Sequence, residues 1–253
     1  MRPTTITFGT VIKAWAKSGS IKLAQKAEDL LRRVLTLRDD HGWDHLQVNT
    51  ILYTSVLSAY ARAGDPESAE RLLREMFQEF VGGNQDVQPN IYSINTVLFG
   101  WSKSSLPTAF ESVEVLFRSI DNLLESGAIV EEPDAVTYNN LLSTLARTRQ
   151  VPVDAVAKAE DLVVEMQEEA LRPTIHTFKS LLRILASKND SERDVKIEYW
   201  LSEARKLKIR DYRSLEEQFL RGEKERRPTN ARERRSPQRK ERKSRIQYKY
   251  YVK

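Results

Sequence analysis

The chain has 253 residues, 40% hydrophobic and 8% aromatic, enough apolar material for a substantial core. It holds no cysteine, which excludes disulfides, thiolate metal sites and cysteine nucleophiles, and no apolar run approaches the roughly 20 residues that cross a bilayer as a helix. Its net charge of +5 is uneven: residues 221–253 carry 14 Lys+Arg against 4 Asp+Glu, leaving a body with 27 against 32, so any basic groove in the body is local.

One unit recurs along the chain. Aligned on a bulky anchor, the segments are "ITFGTVIKAWAKSG" from Ile6, "ILYTSVLSAYARAG" from Ile51, "YSINTVLFGWSKSS" from Tyr92, "VTYNNLLSTLARTR" from Val136 and "HTFKSLLRILASKN" from His176. The anchors Phe8, Tyr53, Ile94, Tyr138 and Phe178 follow one another at 45, 41, 44 and 40 residues. Apolar residues return three, four and seven positions after an anchor, as Val11, Ile12 and Trp15 do after Phe8, which is one face of a helix.

A second amphipathic helix follows each first one: "AQKAEDLLRRVL", "ESAERLLREMF", "ESVEVLFRSID", "AKAEDLVVEMQ" and, less regularly, "IEYWLSEARKL". Gly19 and Gly64 stand where first helices should end, and Pro89, Pro133 and Pro173 interrupt the chain before the next ones. "RDDHGWDHLQ" and "VGGNQDVQ" read as irregular connections. A helix pair alone cannot hide its apolar face, so the expected fold is all-α, a right-handed solenoid of stacked helix-turn-helix units over residues 3–209.

Beyond Ile209 the repeat fades through a short helix, "RSLEEQFLRGEKE", into a basic tail that reads as disordered, so residues 210–253 form a separate segment. The tail suits a non-specific RNA clamp, with a nuclear-localisation-like segment or a solubilising end as alternatives; "QYKYYVK" adds tyrosines that could stack on bases. Met1 lies a few residues before the first helix, with no visible targeting segment, which suggests an incomplete chain start.

The stretch "PDAVTYNNLLSTLARTRQ", followed by "AEDLVVEMQEEALRPT", resembles the pentatricopeptide repeat consensus, with its Pro-Asp-x-x-Thr-Tyr-Asn entry, its Ala-Glu-x-Leu second helix and its Met before a loop ending in Pro. The resemblance covers about Pro3 to Leu207, four good repeats and a degenerate fifth. Repeats longer than the usual length, no proline before Asn49, and Lys179 are its departures.

That resemblance implies single-stranded RNA as the partner, one base per repeat, with no enzymatic activity and no cofactor. Base-reading pairs carried over from the family are Gly9 with Asn49, Thr54 with Asn90, Asn95 with Asp134, and Asn139 with Thr174. Stacking positions are Ile6, Ile51, Tyr92, Val136 and His176; phosphate positions are Lys17, Arg62, Lys103 and Arg147, with Ser187 in the fifth repeat. By the family's pairing, Thr54 with Asn90 resembles an adenine reader, Asn95 with Asp134 a uracil reader, and Asn139 with Thr174 a pyrimidine reader, a core of 5′-A-U-C or A-U-U. Gly9 specifies poorly and Lys179 leaves the fifth site unread.

Read from the residues alone, Thr54, Asn95 and Asn139 are short polar groups bordering an apolar stripe, where amides and hydroxyls can face a base edge. The competing roles are capping for Asn90, Asp134 and Thr174, inter-repeat core for Ile6, Ile51 and Val136, and ordinary solvated cations near helix C-termini for the Lys/Arg series. Thr54, Asn95 and Asn139 lie inside a helix, where such residues gain nothing locally.

The family also implies organellar RNA processing, stabilisation or translation, in a mitochondrion or plastid, with an organellar transcript and processing proteins as partners and neither a membrane nor a small-molecule substrate; a nuclear or cytoplasmic location is the alternative. A protein-binding scaffold is the rival function. His41 and His45 in "HGWDH" lack the glutamate of a zinc-protease helix and are set aside as metal ligands, and Trp15 and Trp101 read as core.

Overall fold

The computed structural model describes residues 3–43, 45–148, 152, 154–187 and 192–221. Among them are eleven α-helices and no strand. They alternate as first and second helices of five units: α1 (Thr5–Ala16) with α2 (Ile21–Asp39), α3 (Thr50–Ala63) with α4 (Pro66–Val81), α5 (Ile91–Lys103) with α6 (Ala109–Glu125), α7 (Ala135–Leu145) with α8 (Ala155–Glu168), and α9 (Ile175–Ser187) with α10 (Arg193–Lys206). A short α11 (Tyr212–Glu216) and a π turn over Glu217–Arg221 follow. The basic tail lies outside the described residues.

Local chemistry sets where first helices begin. Asn49 accepts from the Leu52 amide, Asn90 from Ser93, and Asp134 from Val136 and Thr137, each satisfying donors that a helix start leaves open. Ser93 and Thr137 return a bond to the cap residue's own amide, closing a reciprocal box. Gly64 ends α3 in the left-handed region at φ 80°, which a side chain would disfavour. Asp65 then caps α4 behind Pro66, whose missing N–H is harmless in the first turn.

The first helices α1, α3, α5, α7 and α9 pack successively into one layer, and each second helix packs on its own first helix and on the next one. The anchors Tyr53, Ile94, Tyr138 and Phe178 are buried between the layers, each contributing roughly 1.5–3 kcal/mol. Gly100 lets α5 approach α3: a Cβ there would lie 3.1 Å from both Cα and Cβ of Ala61. At the far end, Leu215 and Phe219 enter the core with Phe178, Trp200 and Leu201, so the short helix expected beyond the repeats packs onto them.

A glutamate recurs at one register of the second helices and ties each unit to the following one. Glu28 accepts from the Tyr60 hydroxyl and from Arg71 Nη2 (2.8 Å) of the next unit. Glu70 takes Trp101 Nε1 (2.9 Å), Glu114 takes Lys158 Nζ (3.2 Å), and Glu160 takes Lys196 Nζ (2.8 Å) and Trp200 Nε1 (3.0 Å). Interfaces between repeats therefore combine apolar packing with a charged hydrogen bond shielded by the stack.

Candidate nucleic-acid interface

The recurring residues fall at fixed places on the first helices. Ile6, Ile51, Tyr92, Val136 and His176 are the second residue of their helices. The first four are exposed by 81, 56, 65 and 52%, and His176 is exposed as well. Packing between repeats therefore does not account for these side chains. Side-by-side first helices place them in a row along one edge of the layer.

Three residues later, on the same face, come Gly9, Thr54, Asn95, Asn139 and Lys179. Asn95 Nδ2 donates to Asp134 Oδ1 at 2.9 Å, and Asn139 Nδ2 donates to Thr174 Oγ1 at 3.3 Å. Residues 39 and 35 apart are thus brought together in the pairs expected from the sequence. Asn90 lies at the start of α5 and Asn49 at the start of α3, both committed to capping. Thr54 bonds the carbonyls of Thr50 and Ile51 instead of a residue of the next repeat.

The environment of these polar groups differs from expectation in one respect. Thr54 and Asn95 are only 7% exposed, and Asn139 is half-buried, because the cap residue and first turn of the next repeat close over them. Thr54 also gains locally through its bonds to the preceding turn, contrary to the expectation for a mid-helix threonine. The three amide and hydroxyl sites are unequal. Asn139 Oδ1 accepts from Thr177 Oγ1 at 2.6 Å, whereas Asn95 Oδ1 is buried with no hydrogen-bond partner among the described residues. Leaving such an acceptor unsatisfied costs about 1–3 kcal/mol.

Lys17, Arg62, Lys103 and Arg147 are exposed near the C-terminal ends of the first helices, about 12 Å along the axis from the paired residues. None is held by a carboxylate among the described residues. Arg62 Nε donates to Ser58 Oγ at 3.3 Å, Lys103 Nζ lies 5.2 Å from the centre of the Phe99 ring, and Arg147 lines a cavity of about 240 Å³ with Ser104, Ser105 and Thr148. On the second helices, by contrast, Arg32, Arg71, Arg118, Lys158 and Lys196 are ion-paired. Ser187 ends α9 and bonds the Ile184 carbonyl.

Residues 51–79 match the family described as the PPR repeat, and residues 131–188 match the pentatricopeptide repeat domain. A pentatricopeptide repeat-containing protein of Arabidopsis thaliana is 31% identical over 169 residues. The chain belongs to the pentatricopeptide repeat family. That Arabidopsis match takes in 66% of this chain and 25% of the relative, and a chloroplastic pentatricopeptide repeat-containing protein of the same plant is 25% identical over 184 residues, 73% of this chain and 20% of its own length. The chain thus spans about a quarter or less of these relatives.

Among solved structures, the pentatricopeptide repeat protein PPR10 from maize superposes with a TM-score of 0.55 at 21% identity, over 85% of this chain and 26% of PPR10. PPR10 in complex with an 18-nucleotide psaJ RNA element gives 0.54 at 20% identity, over 82% and 26%. This likeness shows a shared helical-repeat fold.

Elsewhere, His45 stacks on Trp43 at 5.6 Å and faces the Pro3 carbonyl, and no group of three metal-binding side chains occurs among the described residues. Trp101 is buried as expected for core, whereas Trp15 is only partly covered.

Proposed function

We infer that the first-helix layer binds single-stranded RNA, one base per repeat, and that the protein acts by occupancy, without catalysing a reaction. The observation that carries this reading is the row of exposed apolar side chains Ile6, Ile51, Tyr92 and Val136, beside the hydrogen-bonded pairs Asn95–Asp134 and Asn139–Thr174. A base has an apolar face and a polar edge. Such a row offers the face something to stack on, while the pairs meet the edge.

Asn95 supplies a further argument for the uracil reading. Its amide nitrogen is committed to Asp134 and its carbonyl oxygen has no partner, so this site seeks a hydrogen-bond donor. A uracil N–H meets that need. Thr54 with Asn90 is assigned adenine and Asn139 with Thr174 a pyrimidine, for a core of 5′-A-U-C or A-U-U, with Lys17, Arg62, Lys103 and Arg147 on the phosphates. Two relatives named as chloroplastic favour an organellar transcript, which bound protein would shield from nucleases or processing factors.

The test is selection from a randomised RNA pool by the full chain, followed by affinity measurement on the winners. Thr54→Asn should move the adenine preference towards a pyrimidine. Equal binding to every sequence, before and after the substitution, would remove base reading. Pull-down of a protein with no RNA enrichment would assign the layer to a scaffold, and cleavage of the bound RNA would refute action by occupancy alone.

A further inference from the structure

We propose that Phe99 holds the ribose of the nucleotide whose base meets Asn95, an assignment that rests on the RNA-binding reading above.

Four side chains of α5 form one stripe. Tyr92, Asn95, Phe99 and Lys103 fall within an arc of about 80° around the helix. Phe99 is 38% exposed, although α5 has a first helix packed on each side, α3 and α7. Leu98 and Gly100, its neighbours in sequence, are buried. The phenyl ring therefore stays in water inside the array, on the side of the helix that carries Tyr92.

Along the axis Phe99 stands about 6 Å from Asn95 and about 6 Å from Lys103, roughly one helical turn either way. A nucleotide has its parts in the same order, a base at one end, a phosphate at the other and the sugar joining them. With the base edge at Asn95 and the phosphate at Lys103, the ribose falls at Phe99. The carbon-bound hydrogens of the sugar suit an aromatic face, whose quadrupole is negative there.

This intermediate position also touches the cation in two successive repeats. Lys103 Nζ lies 5.2 Å from the Phe99 ring centre, and Arg62 Nε donates to Ser58 Oγ at 3.3 Å. Ser58 and Phe99 hold equivalent places, four residues after Thr54 and Asn95. Each keeps its cation on the first-helix surface, beside the space a strand would cross. The other equivalents are Lys13, Ser143 and Arg183, all polar. Since a serine or a charged residue completes the same helix in the other units, the fold does not demand a phenyl group here. Unit three alone offers the sugar an apolar floor.

Fluorescence anisotropy with the full chain and three RNAs tests the proposal. The first is a sequence won from the randomised pool. The second is abasic at the nucleotide assigned to Asn95 and keeps its ribose, and the third replaces that whole nucleoside by a three-carbon spacer that keeps the phosphates. Phe99→Ala should weaken binding to the first two about fivefold or more and leave binding to the third unchanged. Phe99→Ser, which installs the residue that α3 and α7 carry, should give the same pattern. Equal binding of the spacer RNA by variants and wild type shows at once that the variants are folded. No loss on intact RNA, a loss that vanishes on abasic RNA and so belongs to the base, or an equal loss on spacer RNA would overturn the proposal while leaving RNA binding in place. A wild-type chain that binds none of the three would remove the underlying reading and the proposal with it.

Discussion

The glutamate register makes a sharp prediction at Glu28. Its carboxylate accepts from the Tyr60 hydroxyl, from Arg71 Nη2 and, at 3.0 Å, from Arg32 Nη2 of its own helix. Tyr60 is buried, whereas the Arg71 and Arg32 side chains are nearly half exposed. A hydrogen bond from a buried donor to a charged acceptor contributes about 1.5–3 kcal/mol, while each partly exposed ion pair adds only about 0.2–1. Glu28→Ala should therefore cost about 2–4 kcal/mol, and a cycle with Tyr60→Phe should isolate a coupling of about 1.5–3.

Urea unfolding followed by helical circular dichroism measures both quantities. In a stack of nearest-neighbour units the loss should be local, so hydrogen exchange should accelerate in α1 and α2 before α9 and α10. The pH dependence gives an independent reading. Burial pushes the Glu28 pKa up, but bonds from Arg71, Tyr60 and Arg32 outweigh that, leaving it below its ordinary 4.5. Since the folded value is depressed, the stabilisation is fully present above pH 4.5 and is lost as pH falls through the lower folded value. Glu28→Gln should flatten that part of the acid limb. A coupling under about 0.3 kcal/mol would refute the assignment of the inter-repeat tie to this carboxylate.

Four further outcomes are expected. Tyr92→Ala should weaken RNA binding by about 1–3 kcal/mol while shifting stability by no more than about 0.5, as anisotropy titration and thermal melting would show. Arg147→Gln should flatten the plot of log affinity against log salt from a slope of about −3 by roughly 0.7. Asn95→Asp sets a second carboxylate against Asp134 in a buried site and should cost about 1–3 kcal/mol near neutral pH. Because repulsion raises a carboxyl pKa in the folded variant, its stability relative to wild type should recover on acidification, in urea titrations at several pH values. Gly100→Val forces side-chain atoms into Ala61 across the α3–α5 contact and should cost at least about 2 kcal/mol in the same assay.

Most of the repeat architecture was legible because its signals are local. Asn49, Asn90 and Asp134 announce helix starts through their own hydrogen-bonding capacity, and the stripe after each anchor has one period wherever it occurs. The depth of Thr54 and Asn95 was not legible, since it is set by a residue about 40 positions later folding over them. Nor were the partners of the second-helix glutamates. Their register shows in the Ala-Glu pattern, but the donor is Tyr60, Trp101, Lys158 or Trp200, drawn from different positions of the next unit.

The same distinction separates the two roles open to the second residue of each first helix. Ile and Val at a helix start serve inter-repeat packing as readily as ligand stacking, so residue type alone does not choose between them. Exposure does. A core residue would be covered by the adjacent repeat, yet Ile51, Tyr92 and Val136 have neighbours on both sides and remain more than half exposed. Packed helices lie about 8–10 Å apart, and a base stacked on both faces occupies roughly twice the 3.4 Å stacking distance. In the RNA-binding reading proposed above, side chains of consecutive helices would hold one base between them, with the Asn95–Asp134 pair alongside to meet its edge. Binding would then bury apolar surface that folding leaves in water, which links the repeat spacing to the spacing of an unpaired strand.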